Sequence, residues 1–138
     1  MANGTYTLLL SLPADATVTF GAAGERALEA GWYAYTGSAF GPGGLSRVER
    51  HARVARGEHD VRHWHVDYLT GHPLTDLDAV YVTEGADREC AVARALDDAG
   101  ATVPGLGASD CDCESHLAYA PERETLAAVA REEHETRR

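Results

Sequence analysis

The chain has 138 residues, of which 44% are hydrophobic, and this length and composition fit one compact domain with one core. No apolar run approaches the roughly 20 residues that span a bilayer. The amino terminus lacks the basic start and long apolar stretch of a signal peptide. Three cysteines are an odd count, which argues against a secreted disulfide framework. We therefore expect a single cytoplasmic domain over residues 1–138 that has no membrane contact.

The charge is strongly acidic, with a formal net value of −10 and no lysine. Nucleic-acid affinity comes mostly from basic surfaces. The acidity therefore excludes nucleic-acid binding, or it is the solvating surface of a halophilic protein that works at high internal salt, and we adopt the halophilic interpretation. Residues 47–65 are nevertheless locally basic, because they contain five arginines and four histidines: Arg47, Arg50, Arg53, Arg56, Arg62, His51, His59, His63 and His65.

The first half of the chain predicts strands separated by glycine-rich turns. Residues 5–12 alternate in polarity and end at Pro13, which indicates a strand. A short β-type run at 17–20 predicts a hairpin with this first strand, and residues 24–30 predict a helical turn or a loop. The aromatic-rich residues 31–37 predict another strand, which is followed by a glycine-rich loop at 38–44.

The second half predicts helices alternating with strands. Apolar residues with helical spacing predict a helix at 45–56 that Gly57 ends. Residues 63–69 are compatible with a helix or a strand. We expect a buried strand at 77–83, a helix at 87–99, a short strand at 116–119 and a terminal helix from Pro121 within 121–138. This order predicts an α+β fold, mainly an antiparallel sheet with a hairpin insertion, flanked by helices.

The segment 31–51 is the one that most clearly suggests chemistry. It predicts a tyrosine-bearing strand, a glycine loop and a helix on which Arg47 and His51 lie one turn apart on the same face. Such a pair can clamp a phosphate and provide an acid or base. The same spacing also suits two residues that merely flank the apolar stripe of an amphipathic helix.

The order of several motifs along the chain resembles a known signature. The GTY triplet at 4–6, YTG at 35–37 and an Arg-x-x-x-His helix at 47–51 resemble the signature of the GIY-YIG endonuclease superfamily. With HWHVDYL at 63–69, EC at 89–90 and SDCDCESHL at 109–117, the chain is similar to the small stand-alone archaeal branch, the Uri superfamily. The resemblance covers residues 4–119 and implies a small GIY-YIG-like domain.

The resemblance implies divalent-metal-dependent hydrolysis of nucleic-acid phosphodiesters, with DNA as the expected substrate. It implies that Tyr6 and Tyr35 are the paired active-site tyrosines, that Arg47 binds phosphate, that His51 is the helix histidine, and that Glu89 holds Mg²⁺ or Mn²⁺. Since an imidazole titrates nearer neutral pH than a phenol, His51 is the more natural base. We expect substrate contacts from Gly37, Ser38, Arg50, His63, His65 and His116.

Glu89 also stands out without the resemblance. It shares a helix face with the apolar residues Val92, Ala93 and Leu96, where a carboxylate needs an ionic partner or a metal. A first-turn acid that complements the helix dipole is the alternative.

The chain differs from the family pattern in ways that keep two other functions open. The hairpin insertion is long, Thr5 and Thr36 replace isoleucines, and the late asparagine of the family has no counterpart. The missing asparagine and the acidic surface are compatible with a catalytically silent nucleic-acid-binding module. A zinc-binding interaction protein is the other alternative, with zinc held by Cys111, Cys113 and His116 together with His63 and His65; otherwise the cysteines are small buried hydrophobes.

Overall fold

A computed structural model describes residues 3–20, 24–39, 44, 46–55, 69–70, 72, 74–103, 116–134 and 136–137, with the side chains of 47, 49, 136 and 137 left out. The described elements, in chain order, are β1 (Gly4–Leu12), β2 (Ala16–Thr19), β3 (Glu25–Leu28), β4 (Gly31–Ala39), α1 (Ser46–Ala55), β5 (Asp76–Glu84), α2 (Glu89–Ala99), β6 (Ala101–Thr102), β7 (Leu117–Ala120), α3 (Arg123–Glu133) and β8 (Thr136–Arg137). None of the described helices is long and apolar enough to cross a membrane.

The main sheet is antiparallel and has the strand order β6-β7-β4-β1-β5-β8. Strand β1 lies in the middle of it. It pairs with β4 from Gly4↔Ala39 to Leu12↔Gly31 and, on its other edge, with β5. The predicted α+β class is confirmed, and the first strand lies beside the tyrosine-bearing strand.

The two faces of this sheet carry separate apolar cores. On one face Leu8, Leu10, Val80 and Val82 pack with residues of the β2–β3 hairpin and with Val48 of α1. On the other face the core consists of side chains from the sheet, α2 and α3: Leu9, Ala34, Ala79, Tyr81, Val92, Leu96, Ala118, Ala120, Leu126, Ala127 and Ala130. Helix α1 therefore lies on one face, and α2 and α3 lie on the other.

The hairpin insertion differs from the sequence expectation. Residues 24–30 were expected to form a helical turn or a loop, but they contain β3, and β2 pairs with β3 instead of β1. The physical reason is burial, because Val18, Phe20 and Leu28 join the core on the α1 face. The connection from β3 to β4 is held by the Tyr33 hydroxyl, which donates to the Glu29 carbonyl at 2.7 Å. Two other predictions, Gly57 as a helix end and the element at 63–69 apart from Leu69, fall outside the described residues.

A buried histidine connects the end of α3 to the middle of the sheet. His134 Nε2 lies 2.7 Å from Thr7 Oγ1 on β1, and its Nδ1 lies 3.0 Å from Thr83 Oγ1 on β5. The Thr7 hydroxyl is also 2.9 Å from Thr36 Oγ1 on β4. Burial, with the nearby Arg88 charge as a second cause, lowers the pKa of His134 from its usual 6.5 to about 4. The neutral ring therefore joins three strands to the last helix.

We predict that His134 makes stability depend on pH between about 4 and 6.5. In this window the unfolded chain binds a proton at His134 and the folded chain does not, so stability is full above pH 6.5 and is lost as pH falls towards 4. The loss should be about 3 kcal/mol, since one pKa unit corresponds to about 1.4 kcal/mol. Urea unfolding of wild type and His134→Gln across this range measures it. A wild-type minus variant difference that stays flat with pH would contradict the assignment.

Candidate active site

The two tyrosines that the signature selects lie on the same face of the sheet. Tyr6 is paired across the strands with Gly37, and Tyr35 is paired with Leu8. Directly paired residues project from the same face, as do residues two apart on one strand. Tyr6 and Tyr35 therefore both face α1, as the sequence led us to expect. Tyr6 is buried and Tyr35 is half-buried.

Gly37 makes room for the ring of Tyr6. A methyl group built at Gly37 would lie 2.5 Å from the Tyr6 hydroxyl oxygen and 2.6 Å from the ring carbon that bears it. Real Cβ atoms do not approach other atoms this closely, so any side chain at position 37 must displace the ring. The role that the structure shows for Gly37 is thus to seat Tyr6, whereas the sequence had suggested a substrate contact.

His51 of α1 completes a polar cluster with the two tyrosines. Its Nε2 lies 2.8 Å from the Tyr6 hydroxyl, and the two ring centroids are 5.3 Å apart. The ring of Tyr35 meets His51 edge-on at 6.4 Å. His51 is fully buried. The amphipathic stripe of α1 places the histidine there, because Val48 on the same side of the helix packs into the core.

Helix α1 is also the most basic of the described helices. It carries three arginines (positions 47, 50 and 53) against one glutamate, whereas α2 carries one arginine against three acids. Arg50 is half-buried. The side chain of Arg47 lies outside the described part of the chain. The local basic segment that the sequence predicted thus coincides, over α1, with the helix that covers the tyrosines.

Glu89 and His116 form a second polar pair. Glu89 is the first residue of α2, and its Oε2 lies 3.6 Å from His116 Nδ1. The His116 side chain is fully buried and that of Glu89 is 12% exposed. The His116 carbonyl accepts a hydrogen bond from the Thr36 amide at 3.0 Å, which ties the pair to β4. Glu89 lies on the apolar face of α2, where a carboxylate needs a partner, and His116 is that partner.

The two polar clusters lie at the same end of the sheet but on different faces. The Thr5 hydroxyl, next to Tyr6, donates to the Ala86 carbonyl at 2.8 Å and accepts from the Arg88 amide at 2.9 Å. These bonds hold the start of α2 against the first residues of β1. Thr5 and Tyr6 point to opposite faces because they are consecutive strand residues. Glu89 thus belongs to the α2 face and Tyr6 to the α1 face.

The remaining predicted residues divide between the two faces and the undescribed segments. Ser38 is half-buried and paired with Thr5, which puts it on the α2 face. His63, His65, Cys111 and Cys113 lie outside the described residues. Among the residues that the structure describes, no group of three or more His, Cys, Asp or Glu could hold a metal ion.

One feature of this region was missed from the sequence. Cys90, next to Glu89 in the first turn of α2, is disulfide-bonded. The odd cysteine count had argued against a disulfide framework. A signal was nevertheless present, because the chain places one cysteine beside the candidate metal ligand and two more shortly before His116.

We predict that Gly37→Ala will displace Tyr6 and destabilise the fold by about 1–3 kcal/mol, the usual cost of overpacking a core. Urea unfolding in wild-type and Tyr6→Ala backgrounds separates the clash from any effect on the strand. The cost should nearly disappear when the tyrosine ring is absent. An equal cost in both backgrounds would show that the ring of Tyr6 is not what requires glycine.

Comparison with known proteins gives a family but no activity. The sequence profile of a domain of unknown function, DUF123, matches residues 5–138, which is nearly the whole chain. No curated protein matches the chain significantly. No solved structure does so either. With its sheet, its tyrosine cluster and its Glu89–His116 pair inside the matched range, the chain belongs to the DUF123 family.

Proposed function

We propose that this protein is a divalent-metal-dependent endonuclease of the GIY-YIG type that hydrolyses nucleic-acid phosphodiesters, with DNA as substrate. The observation that carries the proposal is the 2.8 Å contact between the Tyr6 hydroxyl and His51 Nε2 beside the ring of Tyr35. Tyr6, Tyr35 and His51 come from three separate motifs of the signature, and they converge on one cluster. A cluster of this kind has the groups needed to move a proton.

The Tyr6–His51 contact suggests how the proton of the attacking water is removed. When His51 carries its ring proton on Nδ1, its Nε2 accepts the hydrogen bond of the Tyr6 hydroxyl. A phenol oxygen polarised in this way can accept a proton from water while the imidazole takes the phenol proton. His51 is then the acceptor, Tyr6 the relay, and Tyr35 a group that orients water or phosphate.

Basic side chains on α1 supply the contact with the phosphate. The helix that carries His51 also carries Arg47 and Arg50, in a chain whose net charge is otherwise negative. An arginine fork suits phosphate oxygens and stabilises the charge that develops on them. We assign Arg47 to binding the scissile phosphate and Arg50 to binding the substrate beside it.

Glu89 and His116 would hold the metal. The 3.6 Å between Glu89 Oε2 and His116 Nδ1 is long for a hydrogen bond, so the carboxylate would still be able to bind a divalent ion. The carboxylate and the imidazole are both donors for divalent ions, and Glu89 retains some exposure at the end of the sheet that it shares with Tyr6. A phosphate that lies across this end would be reached by the ion from the α2 face and by Tyr6 and His51 from the α1 face. When bound, the ion would neutralise phosphoryl charge.

We predict that wild-type protein cleaves DNA with Mg²⁺ or Mn²⁺ and that Glu89→Gln abolishes cleavage while leaving the fold intact. Glutamine keeps the shape of the side chain but removes the charge that a divalent cation needs. Cleavage of duplex and branched DNA, in dilute buffer and in molar KCl, provides the measurement. Glu122→Gln is the matched control, because Glu122 is an exposed acid beside the start of α3 with no capping hydrogen bond. This variant should cleave normally.

Binding without cleavage would contradict the proposal. If wild-type protein binds these DNA structures yet cuts none of them across metals and salt concentrations, the chain is a nucleic-acid-binding module. The missing asparagine and the acidic surface would then have been the decisive features.

We further predict that His51, and not Tyr6, gives the cleavage rate its decline at acid pH. A protonated imidazole cannot accept the phenol proton, so His51→Ala should lower the rate and flatten the acid limb of the pH–rate profile. Tyr6→Phe should lower the rate but leave the acid limb in place, because without the phenol hydroxyl His51 Nε2 can take the proton from water directly. Single-turnover cleavage between pH 5 and 9 measures both. An acid limb that survives in His51→Ala would assign the base to another group.

A further inference from the structure

The start of α2 is not capped by the side chains that usually cap a helix. The first amides of a helix have no partner within it, and a capping box satisfies them with the N-cap side chain and the side chain three residues later. In α2 these positions hold Arg88, whose side chain makes no capping hydrogen bond, and Ala91, which has no polar side-chain atom. The Asp87 carboxylate lies 3.4 Å from the Glu89 amide, which is long for a hydrogen bond. The Arg88 amide therefore needs a partner from outside the helix.

Thr5 of β1 supplies that partner. Its hydroxyl accepts from the Arg88 amide at 2.9 Å and donates to the Ala86 carbonyl at 2.8 Å, so one side chain satisfies two backbone groups ahead of the helix. Thr5 is fully buried. It stands where the GIY-YIG signature has isoleucine, and an isoleucine side chain can neither donate nor accept a hydrogen bond. The cap of α2 thus comes from the strand that carries Tyr6.

The residue that Thr5 holds comes directly before Glu89. Because Glu89 opens the helix, a shift of the Arg88 backbone moves its carboxylate relative to His116 Nδ1, which lies 3.6 Å away. Arg88 is also held through its side chain, which forms an ion pair with Glu133 at 2.9 Å. That pair is partly exposed, with 37% of the Arg88 side chain accessible, and such pairs restrain less than buried hydrogen bonds. The Thr5 hydroxyl is therefore the stronger restraint on the first turn.

We propose that Thr5 is a positioning residue, whose buried hydroxyl caps α2 from the neighbouring strand and so holds Glu89 against His116, the arrangement in which the pair takes a divalent ion. The link to the ion rests on the proposed function, but the hold on Glu89 does not. Thr5 touches neither ion nor substrate in this role. Since it adjoins Tyr6 along β1, the same hydroxyl fixes the start of α2 relative to the cluster on the opposite face.

A set of threonine variants tests this role. Thr5→Val keeps the shape of the side chain and removes the hydroxyl, and Thr5→Ser restores the hydroxyl. The matched control is Thr83→Val, because Thr83 is buried, is paired with Thr5 across the strands, and directs its hydroxyl to His134. All variants lose a methyl or a hydroxyl from the same part of the sheet, so a general loss of stability should appear in the control as well.

Two NMR measurements in buffer with EDTA report on the first turn without metal or nuclease activity. The first is hydrogen exchange at the Val92 amide, which donates to the Arg88 carbonyl at 2.9 Å. The second is the chemical shift of the His116 ring nitrogens, for which Glu89→Gln gives the value without the carboxylate charge. Mn²⁺ titration of EDTA-free protein then measures the affinity for a divalent ion.

We expect Thr5→Val to speed exchange at the Val92 amide about tenfold and to move the His116 shifts towards those of Glu89→Gln. Mn²⁺ binding should weaken about tenfold. Thr5→Ser and Thr83→Val should resemble wild type in all three measurements. If Thr5→Val does not fold, Thr5→Ser and Thr5→Ala are compared instead, since these two differ only by the hydroxyl.

Wild-type exchange and shifts in Thr5→Val would overturn the inference. So would equal changes in Thr83→Val, or a Thr5→Ser that behaves like Thr5→Val. A protein that shows the expected exchange and shift differences but binds no Mn²⁺ or cuts no DNA would instead contradict the proposed function alone.

Discussion

The pairing of β1 on both edges is the constraint on which the rest of the structure depends. Because β4 and β5 bond to it along most of its length, the direction of every side chain on β1 is fixed by its register. Tyr6 and Leu8 must face α1, and Thr5, Thr7 and Leu9 must face α2 and α3. A slip of one residue would exchange the two sets and put the tyrosine in the wrong core.

The polar residues near the Gly4 end of β1 make different contacts on the two faces of the sheet. On the α1 face, Tyr6 fills the space above Gly37 and reaches His51. On the other face, Thr5 holds the start of α2, and Thr7 joins the buried His134 at the end of α3. Arg88 also forms an ion pair with Glu133, 2.9 Å apart, which joins the same two helices. These contacts on the α2 and α3 face thus hold in place the strand that carries Tyr6.

The fold was largely predictable because its signals are local. Strand alternation at 5–12, the apolar run at 77–83, the apolar stripe of α1 and the turn-forming glycines each indicate their element within a short window. The pairing of the two tyrosines needed more than local signals. It followed from the order of the GTY and YTG triplets along the chain. The register then showed why the last residue of YTG, Gly37, is glycine, since only glycine fits beneath the ring of Tyr6.

The features that were not predictable depend on contacts between distant segments. The insertion forms a separate β-ribbon because Val18, Phe20 and Leu28 find a core to enter, which local polarity at 24–30 does not reveal. Glu89 could be recognised as a carboxylate in need of a partner, but its pairing with His116 requires the packing of α2 against the sheet. The disulfide at Cys90 was missed for the same reason, because a cysteine count does not give proximity.

The central claim is that Tyr6 and His51 act as one proton-transfer unit, and a double-mutant cycle tests it most directly. Single-turnover DNA cleavage is measured for wild type, Tyr6→Phe, His51→Ala and the double variant under identical metal and salt conditions. Residues that act as a unit are strongly non-additive, so the double variant should be no slower than the slower single variant. Rate losses that multiply in the double variant would show that the two residues act independently and would contradict the claim.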